Sequence, residues 1–474
     1  MLEMSPEEFR RVARRAVDIL ADDLARTAAD PDAFARRPTT PALRERLMDE
    51  PLPEEGRDPD AILADFETLV LPHPMGNGSP RFFGWVNSPP APIGVIADLL
   101  AAGMDPSVAG GDHAATYVEH AVLRWITALL GLEPGSGAIL CSGGSVANLT
   151  GLAVMRNAYV PGVRAAGMGG PNRLVTYTSV DGHSCIEKAV EILGLGHDSL
   201  RKLPVDAQRR MDMAALRSAI ADDRAAGHRP ACVVASAGTV NTGSIDPLGE
   251  IADICAAEGL WFHVDGAYGG FGILADQVTP LYDGLARADS VAVDPHKWLS
   301  LPVECGCAIV RDRSAMRETF SLVPPYLRDD TALPWFSEFG IQQTRGFRAL
   351  KAWMTIQAVG AAGYRRELTR QVALARTLQA KVRARASLEL VSDGPLSVTC
   401  FRVVSTGLDA AATDALNHAV IERIQADGRA FLTSTVLDGR VALRACIVNF
   451  RTQDVDLDVL LDAIEAAGRA ALEG

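Results

Sequence analysis

From about residue 138 to 294 the chain repeats one texture, a short apolar run followed by a stretch with helical periodicity. The runs are "GAIL" (137–140), "RLVTYTS" (173–179), "ACVVAS" (231–236), "LWFHVD" (260–265) and "SVAVD" (290–294). Helical patterns such as "SCIEKAVEIL" and "PLGEIADICAAEG" separate them. Such alternation specifies an α/β fold with a largely parallel sheet, because parallel strands need a crossover and helices supply it. Helices on both faces also explain why the runs are apolar throughout instead of alternating. Ligands in such sheets sit beyond the carboxyl ends of the strands, so the residues after each run carry most of the functional information.

The alternation does not extend over the whole chain. After about residue 365 a long helical pattern through "RRELTRQVALARTLQAKVRARA" leads to strands at 397–404 and 440–448, flanked by helices at about 410–426 and 455–472. This predicts a smaller α+β domain. At the other end, Ser5, Pro6 and Glu8 read as an N-cap, a first-turn proline and a capping-box acid. Phe9, Val12, Ala13, Ala16, Ile19 and Leu20 then make an apolar stripe. A helix tethered by "DPDAFARRPTTPAL" needs a distant surface to cover that stripe, such as another subunit. A chain of 474 residues exceeds one ordinary core. The expected organisation is an N-terminal helical dimerisation segment (1–90), a large α/β domain (91–365) and a small C-terminal α+β domain (366–474).

Charge and cysteine usage remove several classes of function. The formal charge is −13 with no basic run, which argues against nucleic acid or anionic membrane as a partner. No stretch of about 18 apolar residues is present, and the N-terminus is charged from Glu3 onward, without a signal-peptide core. The eight cysteines are scattered, and only Cys305 and Cys307 are close together. No second pair completes a zinc site, so no metal is expected and the thiols read as reduced, in a cytoplasmic protein.

Five residue groups stand at the ends of the strand runs. In "AILCSGGSVANLTGLAVMRNA" (138–158) a strand gives way to Gly143 and Gly144, and a helix begins near Ser145. Free N–H groups and the helix dipole there suit a phosphate, although Gly-Gly-Ser taken alone is a turn, without P-loop lysine or dinucleotide spacing. Asp265 in "WFHVDGAYGG" ends a buried-looking run, where a carboxylate needs a partner; it reads as a cap, a salt bridge or a counter-ion. His183 in "TSVDGHSCIEKA" and Thr239 in "SAGTVNTG" read singly as a loop histidine and a turn hydroxyl. Lys297 in "VAVDPHKWLS" sits at a strand end between His296 and Trp298, an unusual place for a solubilising charge. One ligand needs the whole set: pyridoxal 5′-phosphate. Its phosphate takes the helix start at Gly144 and Ser145, and its aldehyde forms a Schiff base with Lys297. Its ring nitrogen takes Asp265, and an imidazole such as His183 stacks on the ring.

With "DPHKW", "HVDGAYGG" and "SPRFFGWVNS" (79–88) in this order, the chain resembles the group II pyridoxal-phosphate amino-acid decarboxylases, most of all the aromatic L-amino-acid decarboxylases. The resemblance covers essentially the whole chain. It implies the fold type I architecture of the aspartate aminotransferases and a homodimer with active sites at the subunit interface. It assigns the cofactor linkage to Lys297, the ring nitrogen to Asp265, ring stacking to His183, and the phosphate to Gly144, Ser145 and His296. Ala267 and Thr239 line the ring. Tyr326 in "LVPPYLRDD" matches the loop tyrosine that protonates the substrate carbon.

Two departures stand out. Asp294 occupies a position where many relatives carry asparagine, and a carboxylate beside a phosphate is unfavourable unless turned away or paired with His296. The segment "PSVAGGDHAATYVEH" (106–120) lacks bulky aromatics, which leaves Trp85 as the ring-binding candidate for the substrate. Asp112 and His113 read either as contacts for a polar substrate or as a helix cap. The expected activity is decarboxylation of an aromatic L-amino acid to its amine and CO2. The alternatives are an aldehyde synthase, disfavoured by Tyr326 and His183, and a decarboxylase of acidic or diamino substrates.

Overall fold

The computed structural model describes residues 3–29, 35–169, 173–322 and 333–473. The chain divides into two compact units, one of residues 86–376 with 392–399, the other of residues 1–85, 377–391 and 400–474.

The first of these is built on a seven-stranded sheet. Its strands are β1 (Gly137–Cys141), β2 (Leu174–Ser179), β3 (Leu200–Leu203), β4 (Arg229–Ser236), β5 (Trp261–Gly266), β6 (Ser290–Val293) and β7 (Gly306–Val310). Their order is β1-β7-β6-β5-β4-β2-β3. β3, β2, β4, β5 and β6 pair in parallel, whereas β7 runs antiparallel to both β6 and β1, so β1 points the same way as β6. β2, β5 and β6 are buried at every position, and β4 at all but Arg229, as expected for strands covered on both faces. Leu152, Val154, Ile186, Val190, Val234 and Ala292 belong to the core between sheet and helices. The α/β expectation holds. The runs read from sequence gave β1, β2, β4, β5 and β6, while β3 and β7 went unread.

The other unit contains the helix Pro6–Ala29 and most of a four-stranded sheet. Its strands are β8 (Leu388–Ser392), β9 (Val398–Val403), β10 (Thr433–Leu437) and β11 (Arg440–Cys446), in the order β10-β11-β9-β8. The helices Ala410–Asp427 and Asp454–Glu473 pack beside it. The Ser5 hydroxyl accepts from the Glu8 N–H at 3.1 Å, the expected cap. Residues 76–85 join the C-terminal part of the same unit: Phe83 N–H donates to the Phe431 carbonyl at 2.6 Å, and the Asn449 amide donates to the Ser79 carbonyl at 2.6 Å. Among the described residues no helix is long and apolar enough to cross a membrane.

Candidate active site

Strands β1, β2, β4, β5 and β6 deliver their carboxyl ends to one side of the sheet, and residues at or just beyond those ends line a cavity of about 390 Å³. Gly144, Ser145, His183, Thr239, Asp265, Ala267, His296 and Lys297 all line it. The eight residues assigned to a cofactor are thus brought together, although they span more than 150 positions of sequence.

The helix Gly144–Tyr159 starts at the cavity wall, and its first N–H groups have no partner within the helix. A Cβ on Gly144 would stand 2.8 Å from the Ala267 Cβ and 2.9 Å from Asp294 Oδ2, so only glycine fits without displacing a neighbour. The end of β1 is fixed from behind. Arg345 donates to the Leu140 carbonyl at 2.8 Å and the Val108 carbonyl at 2.7 Å, and pairs with Glu119, all in the fully buried interior. Breaking such a pair strands a buried charge, so it holds the strand end firmly.

Asp265 is buried at the end of β5, where its Oδ1 accepts from the Ala267 N–H at 3.1 Å. His183 caps the helix Ser184–Ile192. Its Nδ1 accepts from the Cys185 N–H at 3.1 Å, so a neutral ring carries its proton on Nε2. His296 is oriented from the other side, with Nδ1 2.8 Å from the Cys305 carbonyl. The Cys305 N–H also points at this Nδ1, at 3.2 Å, so the tautomer sets which of the two contacts is the hydrogen bond. The Thr239 hydroxyl lies 2.9 Å from that of Thr242, whose own hydroxyl lies 2.9 Å from Ser244 Oγ, a local turn network at the cavity edge.

Lys297 follows β6 in the short helix Pro295–Trp298. Its Nζ lies 3.0 Å from Asp294 Oδ2. Trp298 is buried, and its indole N–H donates to Gln371 at 2.5 Å, which anchors the turn bearing the lysine. Asp294 lines the cavity instead of turning away from it, and its acid contacts Lys297 more closely than His296 Nε2, which is 3.9 Å off. In the sequence alone Asp294 has no assigned role. The N-cap-to-third-residue spacing of Asp294 and Lys297 was the available signal for the pair.

Other residues fall elsewhere. Trp85 belongs to the other unit, where its ring tilts against Phe82 and Phe431 at centroid distances of 5.9 and 5.2 Å. Asp112 accepts from the Tyr117 hydroxyl at 2.7 Å, and His113 stands at the N-cap of the helix Ala114–Leu129 without capping it; neither lines the cavity. Tyr326 lies outside the described residues. Glu304, unread in the sequence, lines the cavity and binds Arg348 at 2.7 Å.

These groups fit pyridoxal phosphate: a glycine cradle at a helix start, one lysine, and a buried carboxylate with a free acceptor capacity. Comparison with known proteins points the same way. The profile of the pyridoxal-dependent decarboxylase conserved domain matches residues 41–404. An aromatic-L-amino-acid decarboxylase of Bacillus atrophaeus is 32% identical over 98% of this chain and 96% of its own length. An L-2,4-diaminobutyrate decarboxylase of Rhizobium meliloti is 33% identical over 97% of this chain and 92% of its own. A crystal structure of Oryza sativa TDC with PLP and tryptamine superposes with a TM-score of 0.92 at 25% identity, covering 99% of both chains.

Proposed function

The chain belongs to the pyridoxal-dependent decarboxylase family, and from that premise we propose how its residues divide the work and which substrate they take. Its cofactor is pyridoxal phosphate and its reaction removes CO2 from an amino acid. When bound, the cofactor supplies a sink for the electron pair left on the α-carbon. Lys297, the one lysine among the described cavity-lining residues, carries the cofactor. Asp265 holds a proton on the ring nitrogen, and each unit of raised ring pKa is worth about 1.4 kcal/mol of preference for the charged ring. The N–H groups at Gly144 and Ser145, with His296, take the phosphate. His183, Ala267 and Thr239 line the ring, and Tyr326 delivers a proton to the α-carbon.

The substrate we propose is an aromatic L-amino acid, supported by the 32% identical aromatic decarboxylase. A diamino acid is the second reading, favoured by the 33% identical diaminobutyrate relative. We also propose a cytoplasmic homodimer; all eight cysteines are buried, which suits a reducing compartment.

The convergence of Lys297, Asp265 and the Gly144 helix start on one cavity carries this reading. Borohydride reduction followed by peptide mapping should place the cofactor on Lys297, and Lys297→Ala should lose the label. A label on another lysine overturns the assignment. Incubation with the twenty amino acids and DOPA, with CO2 and amine both measured, should favour the aromatic set. Turnover confined to diamino or acidic substrates overturns the substrate proposal.

A further inference from the structure

We propose that Asp294 is a charge counterweight in the cofactor cradle: it holds Lys297 when the cradle carries no phosphate, and it pushes against the phosphate when one is present. The inference rests on the cofactor reading above.

Asp294 is 2% exposed and stands at the end of β6, facing the cavity. Its Oδ2 makes the 3.0 Å pair with Lys297, while its Oδ1 is buried with no hydrogen-bond partner among the described residues. The same Oδ2 lies 2.9 Å from where a Cβ on Gly144 would be. The carboxylate is therefore set against the first residue of the helix whose free N–H groups form the anion site. A phosphate arriving there meets a fixed negative charge at close range in a largely water-excluded wall, where like charges repel strongly.

The charges around it do not cancel this. The cavity also contains Asp265 and Glu304, and Glu304 is already matched by Arg348. His296 turns Nδ1 to the Cys305 backbone and keeps its Nε2 3.9 Å from Asp294. Lys297 is the cation that Asp294 faces, and a lysine that carries the cofactor no longer offers a free ammonium. Asp294 then has the phosphate as its neighbour. It acts as a positioning residue for Lys297 in the empty site and as a limit on how tightly the loaded site retains its cofactor.

Asp294→Asn keeps the shape and removes the charge. Dissociation constants for pyridoxal phosphate and for pyridoxal, which lacks the phosphate, would be measured on both proteins from the absorbance of the bound ligand. Loss of the lysine pairing alone shifts both ligands alike. Relief of repulsion shifts only pyridoxal phosphate. The expected result is a gain in pyridoxal phosphate affinity at least tenfold greater than the gain for pyridoxal, about 1.4 kcal/mol. Asp294→Ser should show the same selectivity, which guards against a local packing effect of the asparagine. Equal shifts for both ligands, or weaker binding of pyridoxal phosphate, overturn the inference alone. Failure of the wild-type protein to bind pyridoxal phosphate at all overturns the functional reading and this inference with it.

Discussion

His263 shows how much of the site is held from behind by single side chains. It precedes Asp265 by two positions in β5, so both side chains face the same side of the sheet. Its Nε2 lies 2.7 Å from Asn148 Oδ1 and its Nδ1 2.7 Å from Ser290 Oγ. Gly151 leaves room for the ring, since a Cβ there would stand 2.8 Å from it. Burial pushes this imidazole down to about 4, against the ordinary 6.5. The unfolded chain therefore takes up a proton that the folded one refuses, and stability from this group is full above about pH 6.5 and is lost as pH falls toward 4. Asp246 acts in the opposite sense. Burial raises its carboxyl to about 6, although the Ser236 and Met211 N–H groups hold it at 2.7 Å each, so the folded chain gains stability as pH falls below 6. The two contributions oppose each other between pH 6 and 4. Comparing wild type with His263→Asn isolates the histidine. The stability advantage of the wild type should shrink by up to about 3 kcal/mol between pH 7 and 4, read from denaturant midpoints. A constant difference would show that His263 titrates normally. Nothing in the sequence marked His263, because a histidine inside an apolar run shows no partner until distant Asn148 and Ser290 are placed beside it. Lys297, Asp265 and His183 are legible because each stands at or just beyond the carboxyl end of a strand.

At the scale of elements, the start of the helix Gly144–Tyr159 is the clearest link between local sequence and chemistry. Alanine is the better helix former by roughly 1 kcal/mol in a helix interior, so on propensity alone Gly144→Ala would be harmless. The contacts at 2.8 and 2.9 Å that its Cβ would make say otherwise. Overpacking of this kind costs about 1–3 kcal/mol, and here it falls on the cofactor cradle. Pyridoxal phosphate should bind roughly ten- to a hundredfold more weakly to Gly144→Ala, and the melting temperature of the unloaded protein should fall as well. An unchanged dissociation constant would show that this turn holds no phosphate. The glycine pair was readable because it sits between a strand run and a helical pattern. β3 and β7 were not. "LRKL" carries two cations on an edge strand, and "GCAIV" follows β6 without the long crossover helix that marks a parallel neighbour, because it runs antiparallel. β10 alternates exposed and half-buried residues at the sheet edge, too polar to stand out.

For the whole molecule, the unanswered requirement is what covers the apolar face of the helix Pro6–Ala29. Ile19 is buried, but Phe9 is 59% exposed and Val17, Leu20 and Leu24 are exposed as well. The helix is tied within its unit mainly by charge: Arg11 and Arg15 reach Asp60 at 2.5 and 2.9 Å. Exposed pairs of this kind contribute too little to fix a helix whose apolar side stays wet. A second exposed stripe runs along the helix Pro92–Met104, through Ile96, Leu99, Leu100 and Met104. Exposed apolar stripes of this kind mark interfaces in proteins that do not aggregate. A second copy of the chain is the partner proposed above. Light scattering on the full chain should give twice the 50.4 kDa of one chain. Removing residues 1–30 should yield monomer or aggregate and depress decarboxylation. Truncation also removes the helix's own contacts, so a milder variant separates the two causes. Phe9→Asp with Leu20→Asp alters only exposed side chains and leaves Ile19 and the Asp60 pairs in place. If the stripe is the interface, the double variant should remain folded by circular dichroism yet run as a monomer, with amine production falling in step with the dimer fraction. An active dimer after either change would show that the helix covers something else.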